Sequence, residues 1–201
     1  MTPQTTALGP RPVFPPAASP HCTCYPGATV WLTGLPSSGK TTLARATAEA
    51  LRRDGRRAEV LDGDELRRTL TGDLGFSRED RHRNVERIGR VAQILARNGV
   101  LALVPVIAPY AESRERVRTL HRTSRTPFLE VHVAAPVAVC ATRDVKGLYA
   151  RQAAGGISGL TGVDAPYEEP LAPDLRIDSH TEPADRSAAA LLALLAERGL
   201  A

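Results

Sequence analysis

The segment Gly34–Thr41 reads GLPSSGKT and fits the pattern G-x-x-x-x-G-K-[ST] at each defined position. Apolar residues precede it and a helix-forming stretch follows it, which is the context that this pattern requires. The glycines let backbone N–H groups turn toward phosphate oxygens, and the helix N-terminus adds a favourable dipole. We expect Lys40 on the β- and γ-phosphates and the Thr41 hydroxyl on Mg²⁺. The predicted nucleotide-binding residues are Gly34, Leu35, Pro36, Ser37, Ser38, Gly39, Lys40, Thr41 and Thr42.

Lysine is scarce in this chain. Among 26 basic residues, the only two lysines are Lys40 and Lys146, and the other 24 are arginines. A compact ammonium fits between phosphate oxygens where a planar guanidinium does not. A retained lysine therefore indicates a position that arginine cannot fill. We predict that Lys146, like Lys40, takes part in phosphate chemistry.

The phosphate loop alone does not separate the classes of nucleotide-binding protein. GTPases of this loop class read guanine with an N-K-x-D segment, but neither Asn84 nor Asn98 precedes a lysine. Motor-type ATPases usually carry a carboxylate at the end of a central strand, and the predicted strand Val100–Ile107 runs into Ala-Pro-Tyr instead. What remains is a small phosphotransferase that draws its carboxylates from elsewhere.

Two carboxylates, Asp62 and Asp64, follow the predicted strand Ala58–Leu61 directly. The carboxyl edge of a parallel sheet is where ligand sites form in α/β proteins. One carboxylate can hold the water shell of a metal, and the other can accept a proton from an attacking hydroxyl. The alternative is an Asp-Gly turn in which Asp64 only caps a helix.

Arginines concentrate in the next two predicted helices, and a second anionic substrate facing the γ-phosphate would need such a cluster. In so arginine-rich a chain most of them should be solvated, so we expect only two to serve a ligand. The candidates are Arg67, Arg81, Arg83, Arg87 and Arg90.

The elements that must position these residues alternate between strand and helix. The patterns predict strands at 29–33, 58–61, 100–107, 128–133 and 175–178, and helices at 40–53, 64–70, 78–98, 112–123, 136–143 and 184–198. Ser77 with Asp80 three residues later is typical of a capping box at a helix start. This alternation predicts an α/β fold, a P-loop kinase-type three-layer sandwich with a five-stranded parallel sheet. Residues 155–173 are rich in Gly and Pro and are predicted to be a loop.

Residues 1–27 hold seven of the sixteen prolines and are predicted to be a disordered or loosely attached tail. Residues 28–201 are predicted to be one kinase domain with a lid at about 144–173. In the tail, His21, Cys22 and Cys24 allow a metal site, but reduced thiols are the simpler interpretation. Cys140 is predicted to pack as a small apolar residue.

Composition excludes several classes. Apolar residues make up 42% and charged residues 24%, which excludes global disorder. There is no apolar run of about 18 residues and no secretory signal pattern, so we predict a cytoplasmic protein without a membrane partner. The pI of about 9.3 is accompanied by only 4% aromatic residues and no recognised binding module, so no nucleic-acid partner is expected.

Four segments together resemble the adenylylsulfate kinase family: GLPSSGKTT (34–42), LDGDELR (61–67), DLGFSREDRHRNVERIG (73–89), and RDVKGLY with GLTGVDAPYE (143–149, 159–168). The resemblance runs from about residue 28 to 178. It implies transfer of the γ-phosphate of ATP to the 3′-hydroxyl of adenosine 5′-phosphosulfate, with Mg²⁺ as the metal. It also implies a homodimer.

The resemblance implies roles for individual residues. Asp64 would act at the 3′-hydroxyl, Asp62 near Mg²⁺, Arg143 near ATP, and Lys146 between the phosphates and the acceptor, while Phe76 would stack on the acceptor adenine. Lys40, Asp64 and Lys146 are the implied catalytic residues, and Thr41 and Asp62 the implied metal ligands. The implied acceptor-binding residues are Asp62, Asp64, Arg67, Phe76, Arg81, Asn84, Ile107, Ala108, Pro109, Lys146 and Leu160. Simpler interpretations remain, with Phe76 as a loop anchor, Asn84 as an exposed helix residue and Lys146 as a surface charge.

Three positions depart from the family pattern. Ala108 replaces a common serine, which implies direct transfer from ATP without phosphorylation at that position. Leu160 replaces a common aromatic, which predicts that the adenine stacks on one aromatic face only. Glu65 replaces a common asparagine, for which we have no account. Two other functions stay open: a related kinase with a different acceptor, and a weakly catalytic nucleotide-binding partner of ATP sulfurylase.

Overall fold

The strand that precedes the phosphate loop is buried on both faces. In the computed structural model, which describes residues 25–201, every residue of β1 (Ala28–Thr33) is buried. Val30 and Leu32 pack into one apolar cluster and Trp31 into another, because side chains alternate along a strand. A strand covered on both faces is typical of the interior of a parallel sheet.

Within residues 25–201 the chain forms one five-stranded sheet in the order β2-β3-β1-β4-β5, with each neighbouring pair parallel. β1 lies at its centre, so the phosphate loop emerges from the middle of the carboxyl edge. The predicted α/β fold with a five-stranded parallel sheet is confirmed. The other strands are β2 (Ala58–Val60), β3 (Leu101–Pro105), β4 (Phe128–Ala134) and β5 (Leu175–Asp178).

Helices cover both faces of the sheet and complete the three layers. The first layer contains α1 (Lys40–Arg53) and α7 (Ala184–Glu197), whose leucines share a core with the sheet. The second contains α3 (Arg78–Arg97) and α4 (Ala111–Thr123), which pack around Trp31. Three short helices are α2 (Gly63–Leu66), α5 (Val137–Arg143) and α6 (Leu148–Ala153).

Some elements differ from the sequence prediction. The predicted helix 64–70 ends at Leu66, and the predicted strand 100–107 ends at Pro105 because the chain then turns over the sheet edge, where Ala108 has a φ of 43°. No element was predicted for residues 144–154, yet α6 lies there. Its start is stabilised by the Asp144 carboxylate, which accepts backbone hydrogen bonds from Tyr149 and Ala150.

Tyr25 and Pro26, near the end of the predicted tail, are exposed but contact the folded domain. The Pro26 carbonyl accepts a hydrogen bond of 3.1 Å from Arg56, whose guanidinium lies 4.2 Å from the centre of the Tyr25 ring. The predictions for residues 1–24, including His21, Cys22 and Cys24, lie outside the described residues. Cys140 is fully buried as predicted. In the part of the chain that the structure describes, no helix has the length and apolar character needed to cross a membrane.

Candidate active site

A cleft of about 770 Å³ opens at the carboxyl edge of the sheet. It is bordered by the phosphate loop, α2, the start of α3, the segment after β3, the start of the lid and the segment after β5. Both lysines of the chain line it, as their scarcity predicted. The predicted residues in its lining are Pro36, Ser37, Gly39, Lys40, Thr41, Thr42, Asp64, Arg67, Phe76, Arg81, Asn84, Ile107, Ala108, Pro109, Arg143 and Lys146.

The phosphate loop needs its two outer glycines for different reasons. Gly39 directly precedes the first residue of α1. Its φ of 97° is a backbone conformation that residues with a side chain rarely adopt. Gly34 lies so close to β4 that a Cβ there would be 2.4 Å from the Val133 carbonyl oxygen. The loop is also fixed from β5, because the Ser179 hydroxyl donates to the Ser38 carbonyl at 2.7 Å. These contacts hold the loop in its phosphate-binding shape.

The Lys40 side chain is buried inside its own loop. Its ammonium donates to the carbonyls of Gly34 at 2.9 Å and Leu35 at 2.6 Å. Burial, together with the smaller effect of the nearby positive charge of Lys146, lowers the pKa of Lys40 to about 7. Near neutral pH this lysine is therefore only partly charged, and an anion in the cleft would favour its protonation.

The two carboxylates after β2 have separate structural roles. Asp62 is buried and caps α2, since its Oδ1 accepts from the Asp64 backbone N–H at 2.9 Å. The alternative in which Asp64 is the cap is therefore wrong. Asp64 is the second residue of α2, and its half-exposed carboxylate lies in the cleft, where it forms an ion pair with the Lys146 ammonium. Of the two carboxylates, Asp64 is thus the one in the cleft, with Lys146 as its partner.

The oxygen donors near the loop are suited to Mg²⁺. Among residues 25–201, no three His, Cys, Asp or Glu side chains cluster into a metal site. Mg²⁺ does not need such a cluster, because it keeps several waters and binds through one or two protein oxygens together with substrate phosphates. Thr41 in the cleft and the buried Asp62, whose Oδ2 lies 3.9 Å from Arg45, are hard donors of this kind. The residues present therefore fit a metal that arrives with a nucleotide.

The Phe76 ring, with Arg67 beside it, forms an aromatic platform in the wall of the cleft. The Arg67 guanidinium donates to the carbonyls of Leu74 and Gly75, each at 3.0 Å. It also lies 4.4 Å from the centre of the Phe76 ring. Phe76 is 69% exposed although it is a large apolar residue. With arginine on one face, the ring keeps its other face available for a planar ligand.

The start of α3 carries two further predicted residues. Ser77 and Asp80 form the predicted capping box, with the Ser77 hydroxyl accepting from the Asp80 N–H at 3.1 Å. Arg81 follows in the first turn, and its guanidinium donates to the carbonyls of Phe76 at 2.9 Å and Gly159 at 2.6 Å. It also donates to the Thr161 hydroxyl at 2.6 Å. Arg81 therefore ties the aromatic platform to the lid.

Asn84 lies one turn further along α3 and lines the cleft. Its Oδ1 atom is buried and has no hydrogen-bond partner among the described residues. Buried polar atoms are normally paired, so an unpaired acceptor on a residue that lines the cleft makes Asn84 a candidate ligand contact. The interpretation of Asn84 as a simple exposed helix residue does not fit this position.

The structure does not bring every predicted residue to the cleft. Leu160 is 7% exposed and packs with Leu35, Cys140 and Tyr149 in a separate apolar cluster, because burial there removes its side chain from water. Arg83 and Arg87 form surface ion pairs with Glu79 and Asp73. As expected, Arg67 and Arg81 are the two arginines of this group that line the cleft.

Sequence reasoning missed one wall of the cleft. The segment after β5 contributes Ser179, Glu182, Ala184 and Ser187 to its lining. Arg143 is held against this wall by a 2.7 Å hydrogen bond to the Ser179 carbonyl. The signal available in the sequence was the position of these residues directly after a predicted strand, at the carboxyl edge of the sheet.

Comparison with known proteins agrees with this geometry. A sequence model of adenylylsulphate kinases matches residues 26–178. A probable adenylyl-sulfate kinase of Synechocystis sp. is 52% identical over 161 residues, covering 80% of this chain and 89% of that protein. The APS kinase CysC of Mycobacterium tuberculosis, solved in complex with AMPPNP and APS, is 44% identical with a TM-score of 0.83, covering 86% of this chain and 99% of that one.

A hexameric APS kinase from Thiobacillus denitrificans is 34% identical with a TM-score of 0.67, covering 88% of this chain and 30% of that one. The matched residues 26–178 contain the sheet and the segments that line most of the cleft. By sequence and by fold, the chain belongs to the adenylylsulphate kinase family.

Proposed function

We propose that this protein transfers the γ-phosphate of ATP to the 3′-hydroxyl of adenosine 5′-phosphosulfate, giving 3′-phosphoadenylyl sulfate and ADP. The observation that carries the proposal is one cleft that is lined by the phosphate loop, by the half-exposed Asp64 and by the exposed ring of Phe76. In this proposal Asp64 is the carboxylate that accepts the proton of the acceptor hydroxyl. Family membership and the ligands of the mycobacterial relative support the same reaction.

The donor nucleotide is assigned to the loop side. Backbone N–H groups of residues 34–41 and the Lys40 ammonium would bind the β- and γ-phosphates. Thr41 and Asp62 would hold Mg²⁺, which when bound offsets phosphate charge. The adenosine end would lie toward Arg143 and the segment after β5, because these residues complete the loop side of the cleft.

The acceptor is assigned to the platform side. The open face of Phe76 would stack on the adenine, and the unpaired Oδ1 of Asn84 would accept a hydrogen bond from a hydroxyl of the acceptor. Arg67 places positive charge beside the platform, where it would attract the phosphosulfate. Since the Arg81 guanidinium is bonded to Phe76 and the lid, we propose that it acts on the acceptor by holding the platform in place.

In the proposed reaction the 3′-oxygen attacks the γ-phosphorus, a new O–P bond forms, and the bond from phosphorus to the β,γ-bridging oxygen breaks. The proton of the 3′-hydroxyl passes to the Asp64 carboxylate, and the electron pair of the broken bond leaves with ADP. Lys146 would stabilise charge on the transferring phosphoryl group. The ion pair between the Lys146 ammonium and Asp64 supports this role, because it brings the two groups together in the cleft.

A coupled assay of ADP release tests the proposal. With ATP and Mg²⁺, we expect adenosine 5′-phosphosulfate to stimulate ADP release strongly and to be converted to a 3′-phosphorylated product. Binding of ATP without stimulation would favour a different acceptor and would call for a screen of other adenylates and small alcohols. ATP binding with no turnover of any acceptor would favour the nucleotide-binding partner of ATP sulfurylase.

Truncating the platform should weaken acceptor binding selectively. Base–aromatic stacking contributes about 1–3 kcal/mol, so Phe76→Ala is expected to raise the KM for adenosine 5′-phosphosulfate by about 5- to 100-fold. The KM for ATP should change by less than about twofold, because the hydrogen bonds that hold the phosphate loop and Lys40 do not involve Phe76. Steady-state kinetics with each substrate varied in turn measures both values. Leu70→Ala is the control, since Leu70 is apolar and exposed but not part of the cleft wall. An unchanged acceptor KM in Phe76→Ala would contradict the stacking.

ATP binding should take up a proton at alkaline pH. Because the pKa of Lys40 is about 7 in this structure, its ammonium is mostly deprotonated at about pH 8.5. Nearby phosphates favour the charged form and raise this pKa, so binding should bring an uptake of about one proton and ATP affinity should fall as pH rises from 7. Titration calorimetry in buffers of different ionisation enthalpy measures the uptake. At about pH 6, where Lys40 is already protonated, this contribution should be much smaller. Equal uptake at both pH values would contradict the assignment.

We also propose that the protein forms a homodimer in the cytoplasm. Self-association is supported by the hexameric relative, and a mass of two copies in solution is the expected result. Light scattering of the full chain gives that number directly.

A further inference from the structure

One buried arginine outside the predicted set joins three parts of the fold. Arg114 on α4 is 3% exposed, and each nitrogen of its guanidinium donates to a different segment. Nε donates to the Glu130 carboxylate at 2.7 Å, Nη1 to the Ala108 carbonyl at 2.8 Å and Nη2 to the Glu168 carbonyl at 2.7 Å. The planar guanidinium has five N–H donors and can therefore bind three acceptors in fixed directions. The single ammonium of a lysine cannot make the same set of hydrogen bonds.

The first contact fixes the arginine itself. Glu130 is on β4, and its carboxylate is buried between two guanidinium groups, because Arg118 donates to its other oxygen at 2.8 Å. The Glu130 backbone N–H donates to the Asp174 carboxylate at 2.8 Å. A buried charge is stable only when it is paired and hydrogen-bonded, so Glu130 holds the Arg114 fork in one orientation.

The second contact reaches residues 107–109, which line the cleft and which we call the acceptor wall because the acceptor is assigned to them. Ala108 has a φ of 43°, in the left-handed region that residues with a side chain rarely occupy. It lines the cleft between Ile107 and Pro109. Strained backbone persists only where surrounding contacts enforce it. The hydrogen bond from Arg114 to the Ala108 carbonyl is one contact that enforces this backbone conformation.

The third contact reaches the end of the lid. The Glu168 backbone N–H donates to the Pro109 carbonyl at 2.8 Å, and its carboxylate accepts from the Ala111 N–H at 2.7 Å. The end of the lid is therefore bonded directly to the acceptor wall. Arg114 bonds to both segments at once and fixes their relative position.

We propose that Arg114 is a positioning residue for the acceptor wall of the cleft. The Glu130 carboxylate fixes the Arg114 guanidinium, and the guanidinium in turn holds the Ala108 carbonyl and the end of the lid. It contacts neither the phosphate loop nor Asp64 in this structure. Its effect should therefore fall on the acceptor more than on ATP. The naming of the acceptor rests on the function proposed above, while the positioning role rests on the three contacts.

The test compares Arg114→Lys with Arg118→Lys. Both arginines pair with the same carboxylate, but Arg118 makes no contact with Ala108 or Glu168. We expect Arg114→Lys to raise the KM for adenosine 5′-phosphosulfate by about tenfold or more, the usual result of losing hydrogen bonds to a charged donor. The KM for ATP should stay within about twofold. Arg118→Lys should leave both KM values close to wild type.

Hydrogen exchange gives a second readout that needs no turnover. The amides of Ala111 and Glu168 should exchange faster in Arg114→Lys than in the wild type, and should not change in Arg118→Lys. Arg114→Lys could instead lower the melting temperature without changing the ratio of the two KM values or the exchange rates of these amides. In that case the arginine is only a structural ion-pair partner and the proposal is overturned.

If Arg114→Lys does not fold, Glu130→Gln takes its place, because an amide oxygen still accepts from Arg114 but without charge. It should shift the acceptor KM in the same direction by a smaller factor, and an unchanged value would overturn the proposal. Should the wild-type enzyme not phosphorylate adenosine 5′-phosphosulfate at all, the proposed function fails, while the exchange measurement still decides the role of Arg114.

Discussion

Asp64→Asn is expected to lower kcat for phosphoryl transfer by about 10²- to 10⁴-fold, the range that a general base contributes. Asparagine keeps the shape and hydrogen-bonding capacity of the side chain but cannot take the proton of the 3′-hydroxyl. ATP should still bind, because the phosphate loop and Lys40 are held by contacts that do not involve Asp64. Rapid-quench kinetics with saturating substrates measures the loss, and titration calorimetry measures ATP binding.

The position of Asp64 makes this prediction specific. Its neighbour Asp62 is buried and caps α2, so Asp64 is the carboxylate of the two that lines the cleft, where it pairs with Lys146. Glu65→Gln is the matched control, since it removes a negative charge one residue away on the same helix. We expect this control to keep kcat within a few-fold of wild type. Full activity in Asp64→Asn, or an equal loss in both variants, would remove the proton-acceptor role.

The segments that the sequence predicted and that the structure brings to the cleft are recognisable from local patterns. The phosphate loop is recognisable because consecutive backbone N–H groups and Lys40 act together over eight residues. The start of α3 is recognisable because Ser77 and Asp80 satisfy each other within one turn. The fold class followed for a similar reason, since strand and helix periodicities are local patterns.

The parts that the sequence did not predict depend on contacts between distant segments. Arg114 meets Glu130 and Glu168 only after α4 and the lid pack on β4, and in the sequence it is one of 24 arginines. The wall after β5 has no motif of its own. Leu160 aligned with an aromatic of the family, but a leucine gains more by packing beside Tyr149 than by facing a cleft.

The two halves of the predicted lid are held by different contacts. The lid was predicted as a single segment of about 144–173, but Arg81 holds Gly159 and Thr161 while Arg114 holds Glu168. These contacts anchor its second half to the body of the protein. The first half is anchored to the site itself, because the Tyr149 hydroxyl donates to the Pro36 carbonyl at 3.1 Å and Lys146 pairs with Asp64. Lys146 is thus the lid residue whose partner is a carboxylate of the cleft.

Lys146→Met is expected to lower kcat by about 10²- to 10³-fold, the cost of removing one group that stabilises charge in the transition state. Lys146→Arg keeps the charge, yet we expect a loss of about tenfold, because a planar guanidinium cannot occupy the space of a compact ammonium between phosphates. Single-turnover kinetics measures both losses. Arg151→Met on α6 is the control, since it removes an exposed positive charge from the same part of the lid. A fully active Lys146→Arg would show that the scarcity of lysine carries no chemical meaning here.

Because Lys146 pairs with Asp64, a double variant can distinguish two roles of this lysine. If Lys146 served only to orient the Asp64 carboxylate, the double variant Asp64→Asn with Lys146→Met would be no slower than Asp64→Asn alone. If Lys146 stabilises the phosphoryl group itself, the double variant should lose a further factor of about tenfold or more, because the two groups act on different atoms. Comparing the four proteins at saturating ATP and acceptor decides between the two roles.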